Sequence, residues 1–438
     1  MTNIATVYHG NCIDKLKSIS DCSIDSVVTD PPYSLSNEIS ILKEEWDSTG
    51  IAFDVELWKE CYRVLKPGGH VIAFGFPRLY HHLAIAIEKS GFEIRDCLVW
   101  IYKNGFPKSH NISKAIDKIN GVKLEDKFAL GKYIKSQRVK LGYTVDDVNS
   151  WVESTSKCQH WESRNSNNIR VPTKEDYEII KPKLELNNDW DDLIMRVEAE
   201  RDVQTDEHGQ VIYKTLTTSK HLHMPLQDSK KVKVAMTANA TENAKKFDGW
   251  GTGLKPSHNP IVLARKPMVT TIAENMITHG VGAINIKSCM IKDKWPANII
   301  VDDFVSKSIE NNSSFFFVPR ASASEKNLGI MCNFKKANDV YTISESMINF
   351  FDHSNTTIKN GHTTVKPIEL MRHLVRLVTP DGGIVLDPFL GSGTTGCAAI
   401  LESKSFVGVE LNENYIQTAM ARMYYWYYIN KAQMSMWS

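Results

Sequence analysis

Asp30-Pro-Pro-Tyr33 places a carboxylate, two backbone-stiffening rings and an aromatic face in one short stretch. The Asp30 side chain is one acceptor, and a proline-rich turn can aim the Pro31 carbonyl outward as a second. Tyr33 adds a flat face, with Pro32 holding the turn between them. Such a set suits a planar heterocycle bearing an exocyclic amine, which would donate both protons to the acceptors while its ring stacks on Tyr33. Ser26 to Thr29 reads as a short buried strand leading into this tip. In an open parallel sheet, ligands collect at the carboxyl ends of the strands.

A second chemical stretch lies near the other end. Gly383-Ile-Val-Leu-Asp-Pro-Phe-Leu-Gly-Ser-Gly-Thr-Thr395 reads as a buried strand, a glycine turn and the start of the helix Thr394 to Leu401. Gly391 and Gly393 let a ligand approach the backbone closely. The following strand, Ser405 to Val409, ends in Glu410, an acid suited to the two hydroxyls of a ribose. The glycine spacing differs from the dinucleotide fingerprint, and no Gly-Lys-Ser or Gly-Lys-Thr follows it. A ribose without a pyrophosphate fits better.

Both stretches need a sheet to hold them. Strands are expected at Ile4 to Tyr8, Ser26 to Thr29, His70 to Gly75 and Arg95 to Tyr102. Helices are expected at Cys12 to Ile19, Phe53 to Leu65 and His81 to Lys89, with Lys66-Pro-Gly-Gly69 as a helix stop. This alternation predicts an α/β fold with a doubly wound parallel sheet. From Lys103 to about Asn355 the rhythm is lost among polar loops and basic clusters, and Arg196 to Ser219 reads as a linker or exposed loop. Regular structure returns with a helix at Pro367 to Val378 and ends with one at Asn414 to Met423.

One helical block, 128–186, stands inside the irregular region. Leu130 to Leu141 is amphipathic, and Thr144-Val-Asp-Asp147 resembles a capping box with Asp as its acid. Ser156-Lys-Cys-Gln-His-Trp-Glu162 follows, and the block resembles the helix-turn-helix of phage-repressor-type domains. The resemblance implies DNA contacts from Ser156, Lys157, Gln159 and His160; a packing module that never touches DNA is the other reading.

Composition narrows the class. The chain has 438 residues, 42% of them hydrophobic, a net charge of +1 and 8 cysteines without a Cys-x-x-Cys pair. Any contact with nucleic acid must therefore come from local clusters, and neither a disulfide framework nor a metal site is expected. No signal-peptide pattern opens the chain, and no run of about 18 apolar residues occurs, so a cytoplasmic protein without a membrane partner is expected.

Asp387-Pro-Phe-x-Gly-Ser-Gly-Thr394 resembles the S-adenosylmethionine motif of amino-directed DNA methyltransferases, and Asp30-Pro-Pro-Tyr33 resembles their catalytic motif. The catalytic motif comes first and the cofactor motif last, as in the permuted beta group of N6-adenine and N4-cytosine enzymes, here of phage or prophage type. Leu65-Lys-Pro-Gly-Gly69, Phe317-Val-Pro-Arg-Ala-Ser322 and Thr364-Val-Lys-Pro367 are further matches. Where this group often reads Gly-Asp and His-Pro-Thr-x-Lys-Pro, the chain has Gly10-Asn11 and His362-Thr-Thr-Val-Lys-Pro367.

The resemblance implies a split catalytic domain, 1–102 with 356–438, around a target-recognition insertion at 103–355. It implies cofactor contacts at Asn11, Lys366, Asp387, Phe389, Gly391, Gly393, Thr394 and Glu410, with Asn11 accepting from the adenine amine. Duplex DNA is the implied partner, a homodimer is admitted, and a restriction-modification setting is implied. A base inside a duplex must be flipped out to be reached. The Asp form of the motif favours adenine N6 over cytosine N4. No Pro-Cys pair is present, so the nucleophile for cytosine carbon-5 methylation is lacking. Two readings from other classes remain: a DNA-binding regulator with an inactive methylase, and an RNA amino-methyltransferase.

Overall fold

A computed structural model describes residues 3–34, 45–102, 109–119, 123–201, 213–218, 230–235, 242–291, 293–302, 316–318, 320–328, 338–344, 360–362 and 364–437. The chain divides into two compact units, Met1–Phe106 with Pro256–Ser438, and Pro107–Lys255.

The strands in chain order are β1 Asn3–His9, β2 Ile24–Thr29, β3 Leu65–Phe74, β4 Glu93–Ile101, β5 Tyr213–Thr218, β6 Lys230–Ala235, β7 His258–Arg265, β8 Ile299–Val301, β9 Phe316–Phe317, β10 Val340–Ser344, β11 Ile384–Asp387 and β12 Ser405–Glu410. All but β5 and β6 form a ten-stranded sheet in the order β10-β1-β12-β11-β2-β3-β7-β4-β8-β9. From β1 to β3 the pairing is parallel, whereas β7 runs antiparallel to both β3 and β4.

β2 is buried along its whole length, as a central parallel strand must be. Its two adjacent valines face opposite sides. Val28 joins a core with Leu370, Leu374 and Met420, while Val27 joins one with Leu57, Trp58 and Cys61. The helix Ile368–Val378 therefore covers one face and the helix Val55–Val64 the other, which is the doubly wound arrangement. The polar residues of β2 are tied to neighbouring elements. Asp25 accepts from Lys66 Nζ at 2.6 Å and from the Ile384 amide at 2.8 Å, and Ser26 lies 2.7 Å from the Thr379 hydroxyl.

The expected insertion at 103–355 needs correction. β7 to β10 fall inside that stretch yet pair into the main sheet. Ile261-Val-Leu-Ala264 is a short continuous apolar run between Pro260 and Arg265, and it is buried between β3 and β4. The expected helix stop at Lys66-Pro-Gly-Gly69 is instead part of β3, with Gly68 at φ +82° beside an irregularity in the β2–β3 register. The stretch Arg196 to Ser219, expected as a linker, holds the end of the helix Asp191–Arg201 and β5, which pairs antiparallel with β6.

In the second unit, helices Leu124–Lys140, Val145–Trp151, Lys157–Trp161 and Lys174–Lys183 enclose Leu130, Ile134, Val148, Trp161 and Ile180. The Thr144 capping box forms: the Asp147 amide donates to Thr144 Oγ1 at 3.1 Å, and the Thr144 amide donates to Asp147 Oδ2 at 2.7 Å. Arg138 donates through Nε and Nη2 to both carboxylate oxygens of Glu162, at 2.6 and 2.8 Å, with both side chains buried.

Candidate active site

Register brings the two chemical stretches together. β2 and β11 are neighbours, with Ser26 opposite Val385 and Val27 opposite Leu386. β12 lies on the far side of β11. Asp30, the glycine turn and Glu410 therefore leave the same edge of the sheet, because parallel strands end on one side.

At the tip, Tyr33 donates its hydroxyl proton to Asp30 Oδ1 at 2.8 Å. Lys366 forms an ion pair with Asp30 Oδ2 and lies 3.1 Å from the Tyr33 hydroxyl. Its ammonium also sits 5.4 Å from the Tyr33 ring centre and 4.9 Å from that of Phe74. Burial, followed by the charge of Asp30, pushes the Tyr33 phenol well above its ordinary range, so it stays protonated as a donor. Pro31, Pro32 and Tyr33 line a small apolar cavity with Phe53, Phe74 and Phe76. The Tyr33 and Phe76 rings are 6.1 Å apart and tilted by 33°.

The glycine turn is held from inside. Asp387 is buried, accepts from Thr29 Oγ1 and Thr395 Oγ1 at 2.6 Å each, and from the Phe389 amide at 3.0 Å. Burial pushes its carboxyl up to about 6 against the pull of those donors. Gly391 and Gly393 take φ +51° and +76°, which L side chains rarely adopt. The Gly391 amide donates to Glu410 Oε2 at 2.8 Å, and the Asn412 amide donates to Oε1 at 2.8 Å. Burial raises the Glu410 carboxyl. A carboxylate has about four lone-pair sites, so Glu410 can still accept from a ligand's hydroxyls.

Several expected cofactor contacts have other partners. Asn11 Oδ1 caps the helix Cys12–Leu16, accepting from the Ile13 and Asp14 amides at 2.9 and 3.4 Å. An asparagine before a helix serves that purpose well. Asp387 is directed into the protein, and Thr394 is buried with its hydroxyl accepting from Arg422 Nη1 at 3.1 Å. Phe389 packs against the core beneath β11, and Lys366 sits on Asp30. Gly391, Gly393 and Glu410 remain together at the sheet edge.

Sequence reasoning passed over three residues. His362 lies against Gly391, where a Cβ would meet its Nε2 at 2.9 Å, and its ring meets Tyr415 edge-on at 4.8 Å. Burial lowers its imidazole to about 4, leaving it neutral near pH 7. Arg422 is buried under the turn and donates to the Ser392 carbonyl at 2.6 Å. Asn259 Nδ2 donates to the Tyr33 hydroxyl at 2.9 Å. Only His362 carried a signal, through its place in the Lys366 motif.

In the second unit, the helix Lys157–Trp161 has 5 residues, and its expected DNA-contacting side chains bond largely within the unit. Lys157 Nζ pairs with Asp176 at 2.8 Å, Gln159 accepts from Asn149 Nδ2 at 2.9 Å, and His160 Nδ1 lies 3.3 Å from the Asn168 carbonyl. Ser156, Gln159 and His160 are exposed. Among the described residues, no group of three or more His, Cys, Asp or Glu could hold a metal ion, and no helix is long and apolar enough to cross a membrane.

Comparison with known proteins adds the family. The chain is 29% identical over 184 residues to the type II methyltransferase M.HindIII of Haemophilus influenzae, covering 41% of this chain and 45% of that protein. It is 42% identical over 63 residues to the DNA adenine methyltransferase YhdJ of Escherichia coli K12, covering 14% and 21%. Among solved structures, the PvuII DNA methyltransferase (cytosine-N4-specific) aligns over 96% of this chain and 86% of its own, with 14% identity and a TM-score of 0.42. The matches span less than half the length of the first curated relatives, 45%, 33% and 35% of theirs. The N6/N4 DNA methylase profile matches residues 24–421, most of the length, and the chain therefore belongs to that DNA methylase family.

Proposed function

We propose that this protein transfers a methyl group from S-adenosylmethionine to an exocyclic amine of a base in duplex DNA, with adenine N6 the favoured acceptor and cytosine N4 the alternative. The pairing of β2 with β11 carries this reading, since it sets the Asp30 tip beside the glycine turn. The residues fit the cofactor: the turn has two glycines with left-handed backbone at the sheet edge, and Glu410 beside it keeps lone pairs for a ribose diol. When bound, S-adenosylmethionine supplies a sulfonium-activated methyl group. Asp30 and the Pro31 carbonyl would accept hydrogen bonds from the two amine N–H groups and favour the pyramidal nitrogen that can attack in line; one N–H is retained in the product and the other proton is released to Asp30 or water. Lys366 balances the Asp30 charge, and Tyr33 holds the carboxylate while offering its ring to the base.

The finer assignments belong to the same reading. Adenine is favoured by the Asp form of the motif, and the order of motifs is that of the permuted beta group. The repressor-like block supports a phage or prophage type and a DNA-reading role for 107–255, with exposed Ser156, Gln159 and His160 as its contacts. Work on duplex DNA in the cytoplasm, within a restriction-modification setting, follows from it. Mass spectrometry of nucleosides from DNA of expressing cells tests the reading. N6-methyladenine is expected; N4-methylcytosine would select the alternative, and neither mark from a folded protein would overturn both.

A further inference from the structure

We propose that Asn259 is a positioning residue for methyl transfer: it fixes the direction of the Tyr33 hydroxyl and so the orientation of the Asp30 carboxylate. The role rests on the methylation reading above.

The amide can point only one way. Its Nδ2 donates to the Tyr33 hydroxyl at 2.9 Å and to the Gly75 carbonyl at 3.2 Å, while its Oδ1 accepts from the Tyr102 hydroxyl at 2.7 Å. Flipping it would set its oxygen against the Gly75 carbonyl, two acceptors with no proton between them. Asn259 and Tyr102 are both buried, so water offers no substitute partner. The Tyr33 oxygen therefore receives Asn259 Nδ2 and Lys366 Nζ, and its single proton is left for Asp30 Oδ1 at 2.8 Å. A carboxylate held through one oxygen by a fixed donor keeps its plane, as a preorganised acceptor requires.

The fold explains how a residue 226 positions from Tyr33 reaches it. β7 is antiparallel between β3 and β4, so its beginning lies at the edge where those strands end. Asn259 stands opposite Trp100 in that register, within reach of Tyr102 and Gly75.

A double-mutant cycle tests the role. Single-turnover methyl transfer to duplex DNA, with cofactor and DNA saturating, would be measured for the wild type, Asn259→Ala, Tyr33→Phe and the double variant. Tyr102→Phe, alone and with Tyr33→Phe, gives a second arm that keeps the core volume. Asn259→Ala should slow transfer about tenfold and Tyr102→Phe several-fold, with KM for both substrates changed less than about twofold. Neither should slow the Tyr33→Phe enzyme further, because residues acting through one partner are not additive. Transfer at the wild-type rate in Asn259→Ala, or an equal fall in the Tyr33→Phe background, would overturn the role while leaving methylation intact. If Asn259→Ala does not fold, the Tyr102→Phe arm decides by the same criterion. A folded wild type that transfers nothing would overturn the methylation reading itself.

Discussion

Lys366 and Asp30 form an ion pair across 336 residues of chain, and the same ammonium lies 3.1 Å from the Tyr33 hydroxyl. The lysine of a motif read from sequence as a cofactor contact is thus the countercharge of the proposed catalytic carboxylate. Both side chains are largely shielded, at 11% and 21% exposure, so neither is fully compensated by water.

Asp30→Ala should remove an acceptor and leave Lys366 without its countercharge. Methyl transfer should fall by about 2 to 4 kcal/mol of barrier, as when one preorganised hydrogen bond to the reacting group is lost. Cofactor affinity by calorimetry should stay near wild type, because Gly391, Gly393 and Glu410 are untouched. Turnover near the wild-type rate would remove Asp30 from the mechanism.

The two glycines of the turn should respond differently. Gly391→Val adds atoms that meet His362, a side chain, in a left-handed backbone that costs about 1 to 2 kcal/mol. The fold should survive and cofactor binding should be lost. Gly393→Ala meets Ala419 at 2.7 Å on its Cβ and 2.9 Å on its Cα, where backbone cannot yield. It should lower stability by roughly 2 to 4 kcal/mol in urea unfolding. Equal effects on folding would mean that His362 does not give way.

Asp387 should leave a signature in the pH dependence of stability. Its carboxyl rises from 3.8 to about 6 in the fold, with burial the main cause. The folded chain then holds the proton more tightly than the unfolded one. That contribution is complete below the unfolded value and is lost as pH rises through about 6. Asp387→Asn cannot titrate, so its deficit against wild type should shrink by roughly 1 to 3 kcal/mol from pH 4.5 to pH 7.5. Unfolding midpoints across that window measure it; a deficit growing with pH would mean the three hydrogen bonds outweigh burial.

Glu162→Ala leaves the buried Arg138 guanidinium without its carboxylate, a loss of about 3 to 5 kcal/mol in the helical block. Hydrogen exchange should quicken across 124–184, while amides of β11 and β12 keep their protection. Unchanged exchange in the helical block would show that other acceptors satisfy Arg138.

What the sequence made legible had local causes. Val27-Val28 and Val385-Leu386 are apolar runs followed closely by an acid, and the residues after them announce a turn, so β2 and β11 could be read directly. β7 is as apolar but begins with His258-Asn259-Pro260 inside a polar tract, which hid it. Asn11 was read through the family's Gly-Asp position and Lys157 through the helix-turn-helix resemblance, and neither resemblance carries the helix cap that Asn11 forms or the ion pair of Lys157 with Asp176. Asn259 had no signal, because its role comes from a reversed strand whose neighbours are set by register.

The β2–β11 pairing has a consequence for how the molecule is made. A strand buried on both sides must wait for a partner encoded some 358 residues later, so closing the sheet is a contact of very long sequence separation. Until that partner is synthesised, β2 presents an unpaired edge and open apolar faces to the cell. Residues 107–255 form their own compact unit and can fold during that interval, while the two halves of the sheet still await each other.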